Sequence, residues 1–131
     1  MCGLRTHIAA ILLGLALLAP ARPLAAADLA PDLHLFATCA GRLSALMEHQ
    51  WLLSDPLSDQ TATERAAMLS LVEAMTPPGG EAGALNWRVE AKAAQAALLA
   101  ASRRPQNDPT AGTASRRSEE LIGACRSLLL G

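Results

Sequence analysis

The sequence predicts an all-α protein, a small up-down bundle of about four helices in which one disulfide joins the first and last helices. Residues 28–131 contain only three Val or Ile residues, Val72, Val89 and Ile122, against 17 Leu and 20 Ala. Strands favour β-branched and aromatic residues, whereas Ala and Leu favour helices. The same range divides into four helix-periodic segments between Pro- and Gly-rich breaks, and its two cysteines lie near its ends.

The N-terminal residues are typical of a secretory signal peptide. Ile8–Ala19 is an uninterrupted apolar run of twelve residues, and three alanines follow at positions 25–27. A helix that spans a bilayer needs about 20 such residues, so the run is too short to be a membrane anchor. We therefore expect a signal peptide over residues 1–27, cut before Asp28, and a single helical domain over residues 28–131. This pattern predicts a periplasmic protein, with release from the cell as the alternative.

The cysteines predict a disulfide. Removal of Cys2 with the signal peptide leaves Cys39 and Cys125, which are 86 residues apart. Two cysteines in an exported chain usually pair, and a pair of free buried thiols is the alternative. A Cys-x-x-Cys motif is absent from the sequence, which disfavours a catalytic redox pair and covalent haem attachment.

Charge and composition exclude several classes of function. The formal net charge is −1, and it becomes −3 when Arg5 and Arg22 leave with the signal peptide. This balance disfavours a nucleic-acid-binding surface. An aromatic content of 2% disfavours a platform on which bases or sugars could stack.

The first predicted helix covers residues 32–53. Asp32 is suited to cap its start, and Asp55-Pro56 is suited to end it. Gly41 falls opposite the apolar face of this helix. That face repeats at spacings of three and four and consists of Phe36, Cys39, Leu43, Leu46, Gln50 and Leu53.

The second predicted helix covers residues 60–75. It starts either at Ser58-Asp59 or at a capping box formed by Thr61 and Glu64, and the Pro-Pro-Gly-Gly sequence at 77–80 stops it. Its apolar edge consists of Met68, Leu71, Val72 and Met75.

The third and fourth predicted helices cover residues 81–102 and 113–129, with a break at 103–112 between them. The many alanines of the third helix would let a neighbouring helix approach closely. Its predicted buried stripe consists of Ala84, Trp87, Ala91, Ala94, Leu98 and Ala101, and that of the fourth helix of Ala114, Ser118, Leu121, Cys125 and Leu128.

The disulfide and the number of helices support each other. Cys39 lies about two turns into the first helix, and Cys125 lies about one turn before the end of the last. In a four-helix up-down bundle the first and last helices are antiparallel neighbours, so the two cysteines lie at the same height. In a three-helix bundle these helices would run parallel and the cysteines would lie at opposite ends.

The sequence predicts no catalytic residue, no metal ligand and no cofactor. Adjacent helical residues point about 100° apart, so Glu48 and His49 are better explained as a solvated face than as an acid–base pair. Glu48 is expected opposite the core. Trp51 is expected at the boundary of the core rather than in a ligand platform. His34 and His49 lie about 22 Å apart along a continuous helix, too far to share a metal ion.

Gln50 is the unusual residue of the first helix, because it lies in the middle of the apolar face. A buried amide without partners costs on the order of 1–3 kcal/mol. Gln50 either fixes the register of the helices, which we favour, or lines a small polar pocket in the bundle.

The segment from Cys39 to Trp51, followed by Asp55-Pro56 and the late Cys125, resembles uncharacterised small exported helical proteins of Gram-negative bacteria. The resemblance is clearest over residues 36–75 and at the C-terminal cysteine. It implies export and a disulfide-linked helical fold, and it implies no activity.

Together these features predict an exported, non-catalytic protein with an interaction or structural role in the cell envelope. Its expected partner is another envelope protein, without nucleic acid and without stable membrane insertion after signal removal. The alternative is a periplasmic carrier of a small ligand, a metal or haem. A cavity beside an inward-facing Gln50 or histidine would favour the carrier, whereas a filled core with an exposed apolar surface would favour a protein partner.

Overall fold

The structure is a computed structural model that describes residues 25–105 and 107–130. The expected signal peptide lies outside the described residues, except for Ala25–Ala27, which begin the first helix. The helices are α1 (Ala25–Leu52), α2 (Ser58–Met75), α3 (Glu81–Ser102) and α4 (Pro109–Leu130). The described part of the chain contains no strand. The predicted all-α class and the four helices are confirmed.

Helix α1 begins earlier than expected. Asp32 lies inside the helix and does not cap it, and Pro31 also lies within the helix. A proline inside a helix lacks the hydrogen bond of its own amide, and its ring crowds the carbonyl four residues earlier, here that of Ala27. The alanines around it have the highest helix propensity of all residues, and α1 continues through Pro31.

Helix α2 begins at Ser58, as the first of the two alternatives predicts. The Asp55 carboxylate accepts a hydrogen bond from the Leu57 amide at 2.9 Å, which tightens the turn before the helix. The capping box of Thr61 and Glu64 does not form. Thr61 is buried, and Glu64 is bonded to Arg126 of α4 at 2.8 Å instead.

Helix α4 begins four residues before its predicted start. The Asp108 carboxylate accepts hydrogen bonds from the Thr110 amide at 2.8 Å and from the Thr110 hydroxyl at 2.6 Å. Pro109 occupies the first helical position, where proline is favoured because the missing amide hydrogen has no partner there anyway. The Asp-Pro-Thr sequence is therefore a helix start, although it resembles a loop.

The hydrogen bonds that Asp108 accepts at the start of α4 predict a measurable shift in the pKa of its carboxyl group. The hydrogen bonds from Thr110, and after them the charge of Arg104, lower the pKa of the Asp108 carboxyl below its ordinary value. The carboxylate therefore stabilises the start of α4 at neutral pH, and this contribution is lost as the pH falls through the lowered pKa. We expect an NMR titration to show a depressed pKa for Asp108 and Thr110→Val to raise it toward the ordinary value. An unchanged pKa in Thr110→Val would contradict the cap.

Helix α1 is the centre of the bundle. It packs most extensively against α3 and α2 and also contacts α4. A short turn reverses the chain into α2, which runs antiparallel to α1. Helix α3 runs parallel to α1, since His34 contacts Trp87 near one end and Glu48 pairs with Lys92 further along both helices.

The predicted disulfide is present between Cys39 and Cys125, whose Cα atoms lie 5.3 Å apart. Helices α1 and α4 run antiparallel, because Cys39 lies opposite Cys125 whereas Gln50 lines a cavity with Ser118. Both cysteines are buried. The core cluster around them consists of Cys39, Ala40, Leu43, Met68, Ile122 and Cys125.

Gly41 lies on the buried side of α1, so the expectation that it falls away from the core is wrong. It packs against the main-chain carbonyl of Arg88 and the methyl group of Ala91 in α3. A Cβ atom at Gly41 would overlap the Arg88 carbonyl oxygen. The glycine therefore allows α1 and α3 to approach closely.

Several side chains of the predicted apolar faces are exposed. In α3, Ala94 is exposed, whereas its neighbour Gln95 and Leu99 are buried. The reason is that α1 and α4 both pack against α3, which widens and rotates its buried sector. The other exposed members of the predicted faces are Leu53, Leu71 and Leu128.

Candidate functional site

A cavity of about 280 Å³ lies between α1, α3 and α4. One side of it is apolar, with Leu46, Leu99 and Ile122. The other side carries amide, hydroxyl and charged groups. They belong to Gln50, Ser102, Ser115, Ser118, Glu119 and Arg126.

The two charged groups of this cavity are engaged with neighbouring side chains. Arg126 donates hydrogen bonds to the Glu64 carboxylate at 2.8 Å and to the Thr61 hydroxyl at 3.4 Å. Glu119 accepts a hydrogen bond from the Ser115 hydroxyl at 2.9 Å. The positive charge of Arg126 is therefore already paired, which disfavours the binding of a free anion there.

Gln50 is buried, with 5% of its surface exposed, as its place on the apolar face predicts. Its Oε1 atom has no hydrogen-bond partner among the described residues. The amide oxygen therefore makes no hydrogen bond that would fix the register of the helices. Gln50 lies beside the cavity, which agrees with the alternative that it lines a small polar pocket in the bundle.

Gln95 of α3 is a second buried amide, and the predicted stripe of α3 did not include it. Its Nε2 atom donates a hydrogen bond to the Ser118 hydroxyl of α4 at 2.7 Å, while its Oε1 atom has no partner in the described part of the chain. Gln95 sits one residue after the alanine that the predicted stripe placed inside. A prediction with a wider buried face on α3 would have included Gln95.

The two glutamines predict opposite effects on stability. Gln50→Leu removes a buried amide oxygen that has no partner among the described residues, so we expect the free energy of unfolding to rise by about 1 kcal/mol. Gln95→Leu removes the hydrogen bond to Ser118 and leaves that hydroxyl without its partner, so we expect a loss of about 1 kcal/mol. Urea unfolding of both variants measures the difference. A loss of stability in Gln50→Leu would show that its amide has a structural role.

Glu48 and His49 do not form an acid–base pair. The Glu48 carboxylate bonds to the Lys92 ammonium of α3 at 2.6 Å, and both side chains are partly exposed. The expectation that Glu48 lies opposite the core is wrong, because α3 packs on that side of α1. His34 contacts the Trp87 ring edge to face, with centroids 4.9 Å apart. Glu48 and His34 therefore both make contacts between α1 and α3.

A positive charge lies beside the disulfide. The Arg42 guanidinium is 4.0 Å from the Cys125 sulfur. Partial burial, and after it the charge of Arg117, lowers the pKa of Arg42 below its usual range. Arginine still remains charged at neutral pH, so this group contributes a fixed positive charge next to the bridge.

An exposed apolar surface, which we call the apolar tip, lies at the turn between α1 and α2. It consists of Trp51, Leu52, Leu53 and Leu57, and Trp51 and Leu52 are 55% and 81% exposed. The chain reverses at Ser54, whose φ of 54° is left-handed. The expectation that Trp51 lies at the core boundary is wrong, because Trp51 lies on a side of the last turn of α1 that no described helix covers.

Within residues 25–105 and 107–130, no group of three or more His, Cys, Asp or Glu side chains is placed to hold a metal ion. None of the helices described is both long and apolar enough to cross a membrane.

No protein-family model matches the chain, and neither a curated protein nor a solved structure is significantly similar to it. These comparisons do not bear on the resemblance to exported proteins of Gram-negative bacteria, which stays a prediction.

Proposed function

We propose that the protein is exported to the periplasm and acts there as a non-catalytic interaction protein, whose apolar tip inserts into an apolar cleft of another envelope protein. The observation that carries this proposal is the exposure of four large apolar side chains around one turn. Large contiguous apolar patches on the surface of a soluble protein mark interaction sites. Tryptophan in particular is enriched among the residues that dominate binding energies.

The shape of the tip favours a concave partner. The chain turns sharply at Ser54, so the tip is the convex end of a helical hairpin. A second copy of the same tip would offer no cleft to receive it. A partner with an apolar cleft could bury Trp51 and Leu52 together.

The charges at this end of the bundle favour a protein over an anionic lipid surface. The ends of α1 and α3 and the starts of α2 and α4 lie at the same end of the molecule. Asp55, Asp59 and Asp108 are found there beside Arg103 and Arg104. Binding to anionic lipid relies on clusters of basic residues, and here acidic groups offset them.

Export rests on the N-terminal sequence. The short apolar run and the alanines at 25–27 are typical of a cleaved signal peptide. The disulfide between Cys39 and Cys125 is compatible with an oxidising compartment. Intact-mass measurement of protein taken from the periplasm should give a chain that begins at or near Asp28. A full-length species in the membrane fraction would overturn this part of the proposal.

The docking surface can be tested by site-specific photo-crosslinking in the native host. A photoreactive residue replaces Leu52 in the tip, and in a control it replaces Leu130, which is similarly exposed at the end of α4. We expect position 52 alone to crosslink one envelope protein, identified by mass spectrometry. Trp51→Ser should weaken binding to that purified protein at least tenfold.

Three outcomes would overturn the proposed docking surface: crosslinking to lipid, crosslinking only to a second copy of this chain, and equal labelling from positions 52 and 130. Sedimentation with vesicles of anionic phospholipid provides an independent measurement of lipid binding.

A second candidate function is that of a small-ligand carrier. The specific observation in its favour is the buried Gln50 amide oxygen, which has no partner among the described residues and lies beside a cavity of about 280 Å³. Native mass spectrometry of protein purified gently from the periplasm should then show a bound small molecule that is lost in Gln50→Leu. A spectrum of the ligand-free mass alone would contradict the carrier function.

A further inference from the structure

The solvent-facing side of α3 carries an apolar stripe along its whole length. Leu85 and Val89 are 51% and 57% exposed there. A surface helix normally presents polar residues on this side. The stripe repeats at spacings of three and four and consists of Ala82, Leu85, Val89, Ala93, Ala96 and Ala100, all of them exposed.

The outward side of α4 shows that this stripe is not a general feature of the bundle. Helix α4 presents two arginines and two glutamates to solvent in its middle, at positions 116, 117, 119 and 120. Helices α1 and α4 pack on other sides of α3, and α2 lies next to its first turns, where Leu85 lines a groove between α2 and α3. The stripe is therefore an apolar side of α3 that is open to a further helix.

We propose that two copies of this chain associate through the outward faces of their α3 helices, in antiparallel orientation. Spacings of three and four give a straight seam against another helix at a small crossing angle. This proposal goes beyond the interaction through the apolar tip, because it uses a different surface and a different partner.

The distribution of side-chain sizes along the stripe selects the antiparallel orientation. The bulky residues Leu85 and Val89 lie in the first half of α3, and the stripe continues only with alanines in the second half. When two copies run antiparallel, each bulky side chain meets an alanine of the other copy, and the helices can pack closely. In a parallel pair, bulky residues would meet each other and the alanines would face a gap.

The charges at the two ends of α3 select the same orientation. Glu81 begins the helix, and Arg103 follows its last residue. Neither makes an ion pair among the residues that the structure describes. An antiparallel pair brings Glu81 of each copy toward Arg103 of the other, whereas a parallel pair sets like charges opposite each other.

The size of the surface implies a weak dimer. A helix of 22 residues is about 33 Å long, and many of its interface residues are alanines. One such pair of helices buries less than the ~1,200 Å² typical of stable complexes. We therefore expect a monomer–dimer equilibrium with a Kd in the micromolar range.

Sedimentation equilibrium of the disulfide-bonded mature chain tests the association. We expect Val89→Glu to raise the Kd of the dimer at least tenfold, whereas Ala124→Glu on the exposed side of α4 changes it less than twofold. Trp51→Ser in the apolar tip should also leave it unchanged. Circular dichroism verifies that each variant keeps its helices. A wild-type chain that stays monomeric at millimolar concentration, or a dimer that Val89→Glu leaves intact, overturns the proposal.

A charge exchange tests the orientation. In an antiparallel dimer, Glu81→Arg places two arginines opposite each other at both ends, so we expect the Kd to rise about threefold or more. Adding Arg103→Glu to that variant should restore the wild-type Kd. If Glu81→Arg does not change the Kd, or if adding Arg103→Glu does not restore it, the antiparallel orientation is excluded.

Discussion

Replacing Cys125 with serine should lower the free energy of unfolding by about 4–5 kcal/mol, as the entropy of closing a loop of 86 residues predicts. This is a large fraction of the roughly 5–15 kcal/mol by which native domains are stable. The bridge mainly restrains the unfolded chain, whereas buried side chains hold the helices together. We therefore expect the far-ultraviolet circular dichroism at low temperature to remain mostly helical, with a much lower denaturation midpoint.

Two controls separate the bridge from local effects at Cys125. Ala124→Ser changes an exposed neighbour and should alter stability by less than about 0.5 kcal/mol. The double variant Cys39→Ala, Cys125→Ala removes the bridge without burying a hydroxyl group and should lose a similar amount to Cys125→Ser. Thiol titration of the denatured, unreduced mature chain should find no free thiol. Two reactive thiols per chain would contradict the bridge.

Replacing Gly41 with alanine should destabilise the protein by about 1–3 kcal/mol, although alanine is the better helix former by about 1 kcal/mol. The added Cβ atom would overlap the carbonyl oxygen of Arg88. This oxygen belongs to the backbone of α3, so it cannot move aside as the end of a flexible side chain could. The two central helices of the bundle would have to separate, and Gly41→Val should have a larger effect.

Gly123 of α4 is the matched control for Gly41. A Cβ atom there meets no atom within 4 Å. Gly123→Ala should therefore raise the free energy of unfolding by about 0.5–1 kcal/mol through helix propensity alone. Chemical unfolding of both variants measures the contrast. Stabilisation by Gly41→Ala would show that α1 and α3 are not in close contact at this glycine.

The order of helices and the disulfide could be predicted from the sequence because both depend on local and compositional features. Helix α3 has the predicted bounds, since Pro-Pro-Gly-Gly precedes it and a polar segment follows it. The starts of α1 and α4 were harder to place. Pro31 and Pro109 resemble breaks, but one lies within a helix and the other begins a helix behind the cap of Asp108.

Burial of individual side chains could be predicted less well. A helical wheel with one apolar face predicts burial well for a helix that packs against one other helix. Helix α1 packs against three helices. Gly41 and Glu48 both lie toward α3. The helical wheel predicted that these sides of α1 face solvent. The buried position of Gln50 could be predicted, whereas the cavity beside it depends on where α4 packs. Trp51 is exposed because it lies on a side of the last turn of α1 that no described helix covers.

The bridge between Cys39 and Cys125 also determines how the folded chain responds to mechanical force. A pull applied to the two chain ends passes through the sulfur–sulfur bond and bypasses everything between the cysteines. Helices α2 and α3 lie entirely within the bypassed segment. Only the segments outside the bridge can extend under such a load, so most of the fold is shielded from stretching while the bond is intact.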